Sequence, residues 1–330
     1  MSVSVLIVGE NSVLQKTSTL GQLNRGEVNR IENQTVSASG KGLNVASVLS
    51  ALDVTTVLYG YAGGENGRRF TAECRETGID ARIVEIATET RQCMTLIERD
   101  GTTTEIVEPS PGITPAESRA FRSAVLSAIP DVSVVCISGT AVGNESCDAY
   151  EAMVIECRKH AIPVILDAHK AHGIRALSAG PDILKVNARE LSDIYHYISG
   201  SEPSAESESR QTRHDMAAHI IAAYGVATVI VTRGRHGAEA YASHGWASAA
   251  SSITAVRNPI GCGDAFTAAV AQRIALDTSP EDTSPPLAGL LRHGVTIATA
   301  HGLSMKPGHL DISRISEVAG TLVVSGSEKG

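Results

Sequence analysis

Short runs rich in Val, Ile and Thr alternate along this 330-residue chain with longer stretches of helical periodicity. Runs 3–8, 56–61, 132–137, 163–167, 183–186 and 228–232 have the length and composition of strands. Stretches 43–52, 67–77, 115–128, 145–160, 188–197 and 216–224 carry apolar residues at helical spacing. Parallel strands must be joined by crossovers of about a dozen residues, normally helices, so the alternation predicts βαβ units and a mainly parallel sheet. Gly78 stands where a helix C-terminal glycine is expected.

Two segments break the rhythm. Residues 10–36 are polar, turn-rich and without helical period. Residues 90–108 read as a hairpin, 91–98 and 102–107, turning at Asp100-Gly101. Both read as excursions from the parallel sheet that form strands of one small separate layer. The expected division is therefore an α/β core of residues 1–9, 37–89 and 109–330, with 10–36 and 90–108 as a β-lid. Segment 199–213 is poor in apolar residues and reads as a mobile surface loop. Residues 325–330 read as a frayed tail, and no internal repeat is visible.

The net charge of −8 argues against a nucleic-acid or anionic-membrane surface, either of which needs a basic face. No apolar run reaches the ~18 residues of a membrane span. The first residues read as a strand and not as a signal peptide, which points to the cytoplasm. The six cysteines (Cys74, Cys93, Cys136, Cys147, Cys157 and Cys262) show no paired spacing and read as reduced core thiols. His169 and His172 lack a third ligand and read as ordinary surface or loop histidines.

Four motifs carry chemistry. In Asn258-Pro-Ile-Gly-Cys-Gly-Asp264, two glycines flank Cys262 and allow a tight turn, and a helix is expected to begin at Asp264. The amides of Gly261, Cys262 and Gly263 with the helix N-terminus would hold a phosphate while Asp264 removes a proton from an attacking hydroxyl. The plainer alternative is that Asp264 caps its helix. Ser39-Gly-Lys-Gly-Leu-Asn44 opens another helix; Gly40 and Gly42 expose amides, Lys41 adds a charge and Asn44 an amide side chain, suited to a polyol or anion. It lacks the spacing of a Walker P-loop. In Lys185-Val-Asn-Ala-Arg-Glu-Leu191, Asn187 and Glu190 share a helix face and could orient water on Mg2+, or could cap the helix. Last, Thr232, Gly234 and Gly237 lie in a loop after a strand, at the sheet edge where open α/β folds bind ligands.

The order of these motifs resembles the PfkB (ribokinase-like) sugar kinase family over nearly the whole chain. Gly26-Glu-Val-Asn-Arg30, Thr90-Arg91 and Asp100-Gly-Thr-Thr-Thr-Glu-Ile-Val-Glu-Pro109 are similar to its 1-phosphofructokinase and tagatose-6-phosphate kinase branch. The resemblance implies a three-layer α/β sandwich with a small β-sheet lid over the sugar, often also the dimer interface. It implies ATP- and Mg2+-dependent phosphoryl transfer to a hydroxyl of a sugar phosphate, and it admits a monovalent cation such as K+. Asp264 would be the base and Gly261–Gly263 the anion hole. Lys185, Thr232, Gly234 and Gly237 would line the ATP site, with Asn187 and Glu190 acting on Mg2+ through water. Gly40, Lys41, Asn44 and Arg91 would hold the sugar phosphate, and Arg30 would reach it, across a homodimer interface.

One departure stands out. The branch has Asn-Pro-Ala-hydrophobic-Asp where this chain has Asn11-Ser-Val-Leu-Gln15, so a neutral amide replaces the carboxylate that holds sugar hydroxyls. This leaves the sugar unidentified. A kinase of an unphosphorylated sugar or nucleoside has no use for Lys41 beside Arg91, and a non-catalytic sugar-phosphate sensor has none for Asp264. No Gly-X-Gly-X-X-Gly follows the first strand, which excludes a nicotinamide enzyme.

Overall fold

The computed structural model describes residues 4–143, 148–201, 209–254, 256–276, 287–304 and 308–328. Its strands in chain order are β1 (Ser4–Asn11), β2 (Val13–Leu20), β3 (Asn33–Ser39), β4 (Thr55–Ala62), β5 (Asp80–Glu85), β6 (Gln92–Glu98) and β7 (Thr103–Val107), then β8 (Val134–Ser138), β9 (Val164–Asp167), β10 (Ile183–Asn187), β11 (Thr228–Thr232), β12 (Ala238–Ala242), β13 (Gly245–Ser251) and β14 (Leu322–Glu328). The helices are α1 (Lys41–Ala51), α2 (Gly64–Glu76), α3 (Pro115–Ala128), α4 (Ala149–Lys159), α5 (Ala171–Leu177), α6 (Ala188–Ser199), α7 (Arg210–Tyr224), α8 (Cys262–Leu276), α9 (Leu287–Gly302) and α10 (Ile315–Ala319).

The main sheet runs β14-β13-β12-β11-β10-β9-β8-β1-β4-β5. Pairing is parallel from β5 to β11 and antiparallel from β11 to β14. Val5, Leu6, Ile7 and Val8 of β1 are completely buried, as a central parallel strand covered on both faces requires. Val5 and Ile7 join α1 and α8 in one core, through Val45, Leu49 and Ala268. Leu6 and Val8 join α4, α6 and α7 in the other, through Met153, Leu191 and Ile220. This is the expected three-layer sandwich. From β1 the chain leads through α1 to β4 on one side, whereas from β8 it leads through α4 to β9 on the other. The carboxyl ends of β1 and β8 therefore flank a crevice of the kind where open α/β sheets bind ligands.

The two excursions form a second sheet in the order β3-β2-β6-β7. Gln15 pairs with Cys93 across β2 and β6, and Cys93 with Val107 across β6 and β7, so side chains of odd number share one face.

Local signals set several element ends. Thr114 and Glu117 close a capping box on α3, with Pro115 in the first turn. Gly78 follows α2 with φ of 74°. Other expectations need correction. β5, β12, β13 and β14 were not foreseen; β12 and β13 are made largely of Ala, Ser and Gly, whose weak β-propensity hides them. Ser325–Glu328 is not frayed, since β14 pairs with β13 along its length, while 329–330 lie outside the described residues. Segment 199–213 is not all loop: Ser199 closes α6, and Arg213 of α7 is buried. Its residues 202–208, like Cys147, are outside the described set. Cys74, Cys93, Cys136 and Cys157 are buried free thiols as expected, with Cys262 half-buried.

Candidate active site

A cavity of about 770 Å³ opens at the carboxyl ends of the main sheet, beneath the odd-numbered face of the second sheet. It begins at α8. The turn before that helix is fixed by the Asn258 side chain, which accepts from the Ile260 amide at 2.9 Å. Gly261 has φ of 82°, and a Cβ there would stand 3.0 Å from the buried His301 ring, so this position needs glycine twice over. The helix begins at Cys262, two residues earlier than expected, which puts Asp264 in its first turn and not at its cap. Its carboxylate accepts from Asn44 Nδ2 at 2.7 Å. Burial pushes the Asp264 carboxyl up to about 6, against the opposing pull of Lys41. Of the first-turn amides of α8, that of Cys262 donates to the Pro259 carbonyl at 3.3 Å and that of Ala265 to the Gly261 carbonyl at 2.8 Å, and the dipole's positive end lies there. The Cys262 thiol lies 3.8 Å from His301 Nδ1, and burial raises it to about 12.

Beneath Asp264 lies a buried ion group. Asp167, at the end of β9, takes Lys41 Nζ on one oxygen and Lys185 Nζ on the other, each at 3.1 Å. Thr267 Oγ1 donates to the second oxygen at 3.0 Å. Burial alone would raise the Asp167 carboxyl, but Lys185 and Lys41 outweigh it and hold it well below the usual carboxylate range. Asp167 escaped the sequence analysis; the available signal was a carboxylate closing the apolar run Val164-Ile-Leu of a central strand. Lys185 lines the cavity under Gly263, where a Cβ would come 3.1 Å from its Nζ.

At one end of the cavity the lining residues are Gly40, Lys41 and Asn44 from the start of α1, with Gln15, Cys93, Thr103, Glu105 and Arg91 from the second sheet and its edge. Gln15 Nε2 donates to Thr95 Oγ1 at 2.9 Å and to the Lys16 carbonyl at 3.4 Å. A carbonyl can only accept, so the amide nitrogen is turned inward and the free group is an acceptor oxygen. Arg91 Nη1 donates to the Glu108 carbonyl, while its buried Nε finds no hydrogen-bond partner among the described residues. Arg30 is not brought here: it is exposed in the loop between β2 and β3 and does not line the cavity of its own protomer.

At the other end lie Asn187, Glu190, Thr232, Gly234, Arg235 and Gly237, leading to an apolar slot of Ile253, Val256, Val295 and Ala298. Asn187 and Glu190 form the capping box of α6: each side chain accepts from the other's backbone amide, at 2.8 and 2.9 Å. The remaining Glu190 oxygen lies 3.2 Å from His169 Nδ1. His169 is a loop histidine, as expected, whereas His172 is buried in α5 against Tyr150 and is not.

A family model described as pfkB family carbohydrate kinase matches residues 4–299. The chain is 25% identical over 318 residues to tagatose-6-phosphate kinase of Staphylococcus epidermidis, covering 95% of this chain and 97% of that protein. It is 28% identical over 284 residues to 1-phosphofructokinase of Escherichia coli, covering 86% and 88%. Its fold is similar to a crystal structure of E. coli phosphofructokinase-2 in complex with fructose-6-phosphate, with a TM-score of 0.82, 19% identity and coverage of 96% and 98%.

The ion group predicts its own stability signature. Asp167→Asn removes the ion-pair partner of the buried Lys185 and of the partly exposed Lys41 and should cost about 3 kcal/mol, measured by urea unfolding at pH 7. Because the folded carboxyl is depressed, its contribution is present above the unfolded value near pH ~4 and is lost as pH falls further. The gap between wild type and variant should therefore close in acid. An unchanged unfolding midpoint at pH 7 would show that the group adds nothing.

Proposed function

Because this chain belongs to the pfkB family of carbohydrate kinases, we propose that it transfers the γ-phosphate of ATP to a hydroxyl of a sugar phosphate, as a kinase of the 1-phosphofructokinase or tagatose-6-phosphate kinase type. One observation carries the reading: a buried carboxylate with a raised pKa sits in the first turn of a helix whose N-terminus opens on the same cavity. Asp264 takes the proton of the attacking hydroxyl. Asn44 holds one of its oxygens and leaves the other free, and a carboxyl near 6 is a stronger base than an ordinary one while still ionised at pH 7. The α8 amides stabilise charge on the group in transfer.

In this reading ATP runs over Lys185, Thr232, Gly234 and Gly237, with its base in the apolar slot. Both Glu190 oxygens and the Asn187 carbonyl are engaged, and no group of three His, Cys, Asp or Glu that could hold a metal occurs among the described residues. This suits Mg2+, which keeps much of its water and binds mainly to substrate phosphates; Asn187 and Glu190 would meet that water. Mg2+ supplies charge neutralisation on the phosphates. A monovalent cation such as K+ would need oxygens other than a carboxylate cluster, and no step here depends on one. Lys41 and Arg91, with its unpartnered Nε, face the phosphate of the sugar at the other end.

We also propose a homodimer through the lid. Val28, Ile31, Val36, Ile106 and Val107, all on the second sheet or its loop, are large apolar residues left exposed. Pairing of two lids would cover them and carry Arg30 of the partner subunit toward the sugar.

The first test measures ATP consumption across ketose and aldose phosphates and the free sugars. Fructose 1-phosphate or tagatose 6-phosphate should be turned over, with kcat/KM falling as pH drops through about 6, where Asp264 takes up a proton. Asp264→Asn should lower kcat by roughly 10²–10⁴ with nucleotide binding intact. Preference for a free sugar, or a variant keeping a tenth of the rate, would sink this assignment.

Gln15 offers the second test. Since its donors are spent on Thr95 and Lys16, the sugar meets only a neutral acceptor where the branch has a carboxylate. Gln15→Asp should therefore lower the KM of the preferred ketohexose phosphate about 10-fold, the gain of a charged over a neutral acceptor. An unchanged KM would place Gln15 out of contact with the sugar. For the lid, Ile106→Glu should convert the sedimentation of a dimer to that of a monomer and lower kcat/KM for the sugar phosphate, whereas a wild type that sediments as a monomer would refute the interface.

A further inference from the structure

The cavity holds four cationic side chains, and their partners divide them. Lys41 and Lys185 are committed to Asp167. Arg91 belongs to the lid end. Arg235 is different: it lies at the opposite end, is exposed, and makes one long contact, Nε to His236 Nε2 at 3.4 Å, with no carboxylate in ion-pair reach among the described residues. A nucleoside triphosphate brings several negative charges to this end, where the described cavity offers no other uncommitted cation.

The loop that carries it is rigid. It closes on itself through three backbone bonds, Arg233 N to Gly237 O at 2.8 Å, His236 N to Arg233 O at 3.1 Å and Gly237 N to Gly234 O at 3.0 Å. Gly237 packs so tightly under β13 that a Cβ would run into the Ala249 carbonyl oxygen. The neighbouring Arg233 is turned away and fixed, 3.4 Å from the buried Glu239 and donating to the His236 carbonyl at 2.9 Å. Glu239 is itself clamped by Arg213 at 2.7 and 2.9 Å and by the Tyr241 hydroxyl at 2.7 Å. Of the two loop arginines, one locks the loop onto the protein and the other is left facing the cavity.

Its position specifies the ligand group. The loop leaves β11 at Thr232, which lies beside Asn187 in the sheet register, so it adjoins the N-terminus of α6. The apolar slot of Ile253, Val256, Val295 and Ala298 lines the same cavity. Arg235 thus shares its cavity with the capped start of α6 and with an apolar slot suited to a base. We propose that Arg235 binds the phosphate chain of the nucleotide, its planar guanidinium pairing with two phosphate oxygens from a preorganised loop. This rests on the kinase reading above.

The test measures equilibrium binding of MgATP, MgADP and adenosine by calorimetry to wild type, Arg235→Ala and Arg235→Lys, with melting curves as a check on folding. Arg235→Ala should weaken MgATP and MgADP about 10- to 100-fold, the loss of one charge-assisted contact, while adenosine binds as before. Arg235→Lys, which keeps the charge but not the fork, should fall between. MgATP bound by Arg235→Ala as tightly as by wild type would overturn the proposal, and so would adenosine weakened to the same degree, since that would make Arg235 a support of the base slot. Wild type that binds adenosine but not MgATP would remove the kinase reading and this inference with it.

Discussion

One fully buried carboxylate shared by two lysines, Lys185 buried and Lys41 partly exposed, ties the cavity end of this molecule together. Asp167 ends β9, Lys185 lies on β10, Lys41 opens α1 and Thr267 lies on α8, so the ion group joins four separate pieces of chain at one point. A buried carboxylate without partners would be strongly disfavoured, and so would the buried Lys185 ammonium without Asp167. The arrangement is stable only when all three charges are present. That requirement places the start of α1 against the start of α8, and hence Asn44 against Asp264. Burial lifts the Asp264 carboxyl to about 6, while Lys41, which steadies Asp167, pulls it the other way.

The two ends of the cavity are built by different means. The end at α6 consists of short loops after parallel strands, each stiffened by its own hydrogen bonds: the capping box at Asn187 and Glu190, and the closed turn from Arg233 to Gly237. The end at α1 has one wall from the main sheet and another from a separate four-stranded sheet. No strand of this second sheet is shared with the main sheet, so its backbone pairing is independent of the core beneath it.

Asn187 and Glu190 admit two readings from sequence, a cap or a partner of hydrated metal, and the hydrogen bonds bear on the first. They are a cap, and the same cap holds them at the cavity wall. Asp264 was weighed as a cap or a base, and its carboxylate is held by Asn44 from another helix, a contact 220 residues away in sequence that no local pattern could reveal. Asp167 was missed for the same reason: its neighbours in sequence are apolar, and every partner comes from elsewhere.

What the sequence determined by itself was whatever depends on short-range chemistry. The alternation of strand and helix periods dictated a parallel sheet between helix layers, because crossover connections leave few other solutions. Glycines at 40, 42, 261 and 263 marked where backbone amides would be bare. Tertiary structure alone decided the rest. It showed that Lys41 and Lys185 share one carboxylate, that Gln15 turns its amide nitrogen inward to Thr95, and that Arg30 stands outside the cavity of its own protomer. These are contacts between residues far apart along the chain. Their strength comes from burial, and burial is a property of the assembled layers that no single stretch of sequence carries.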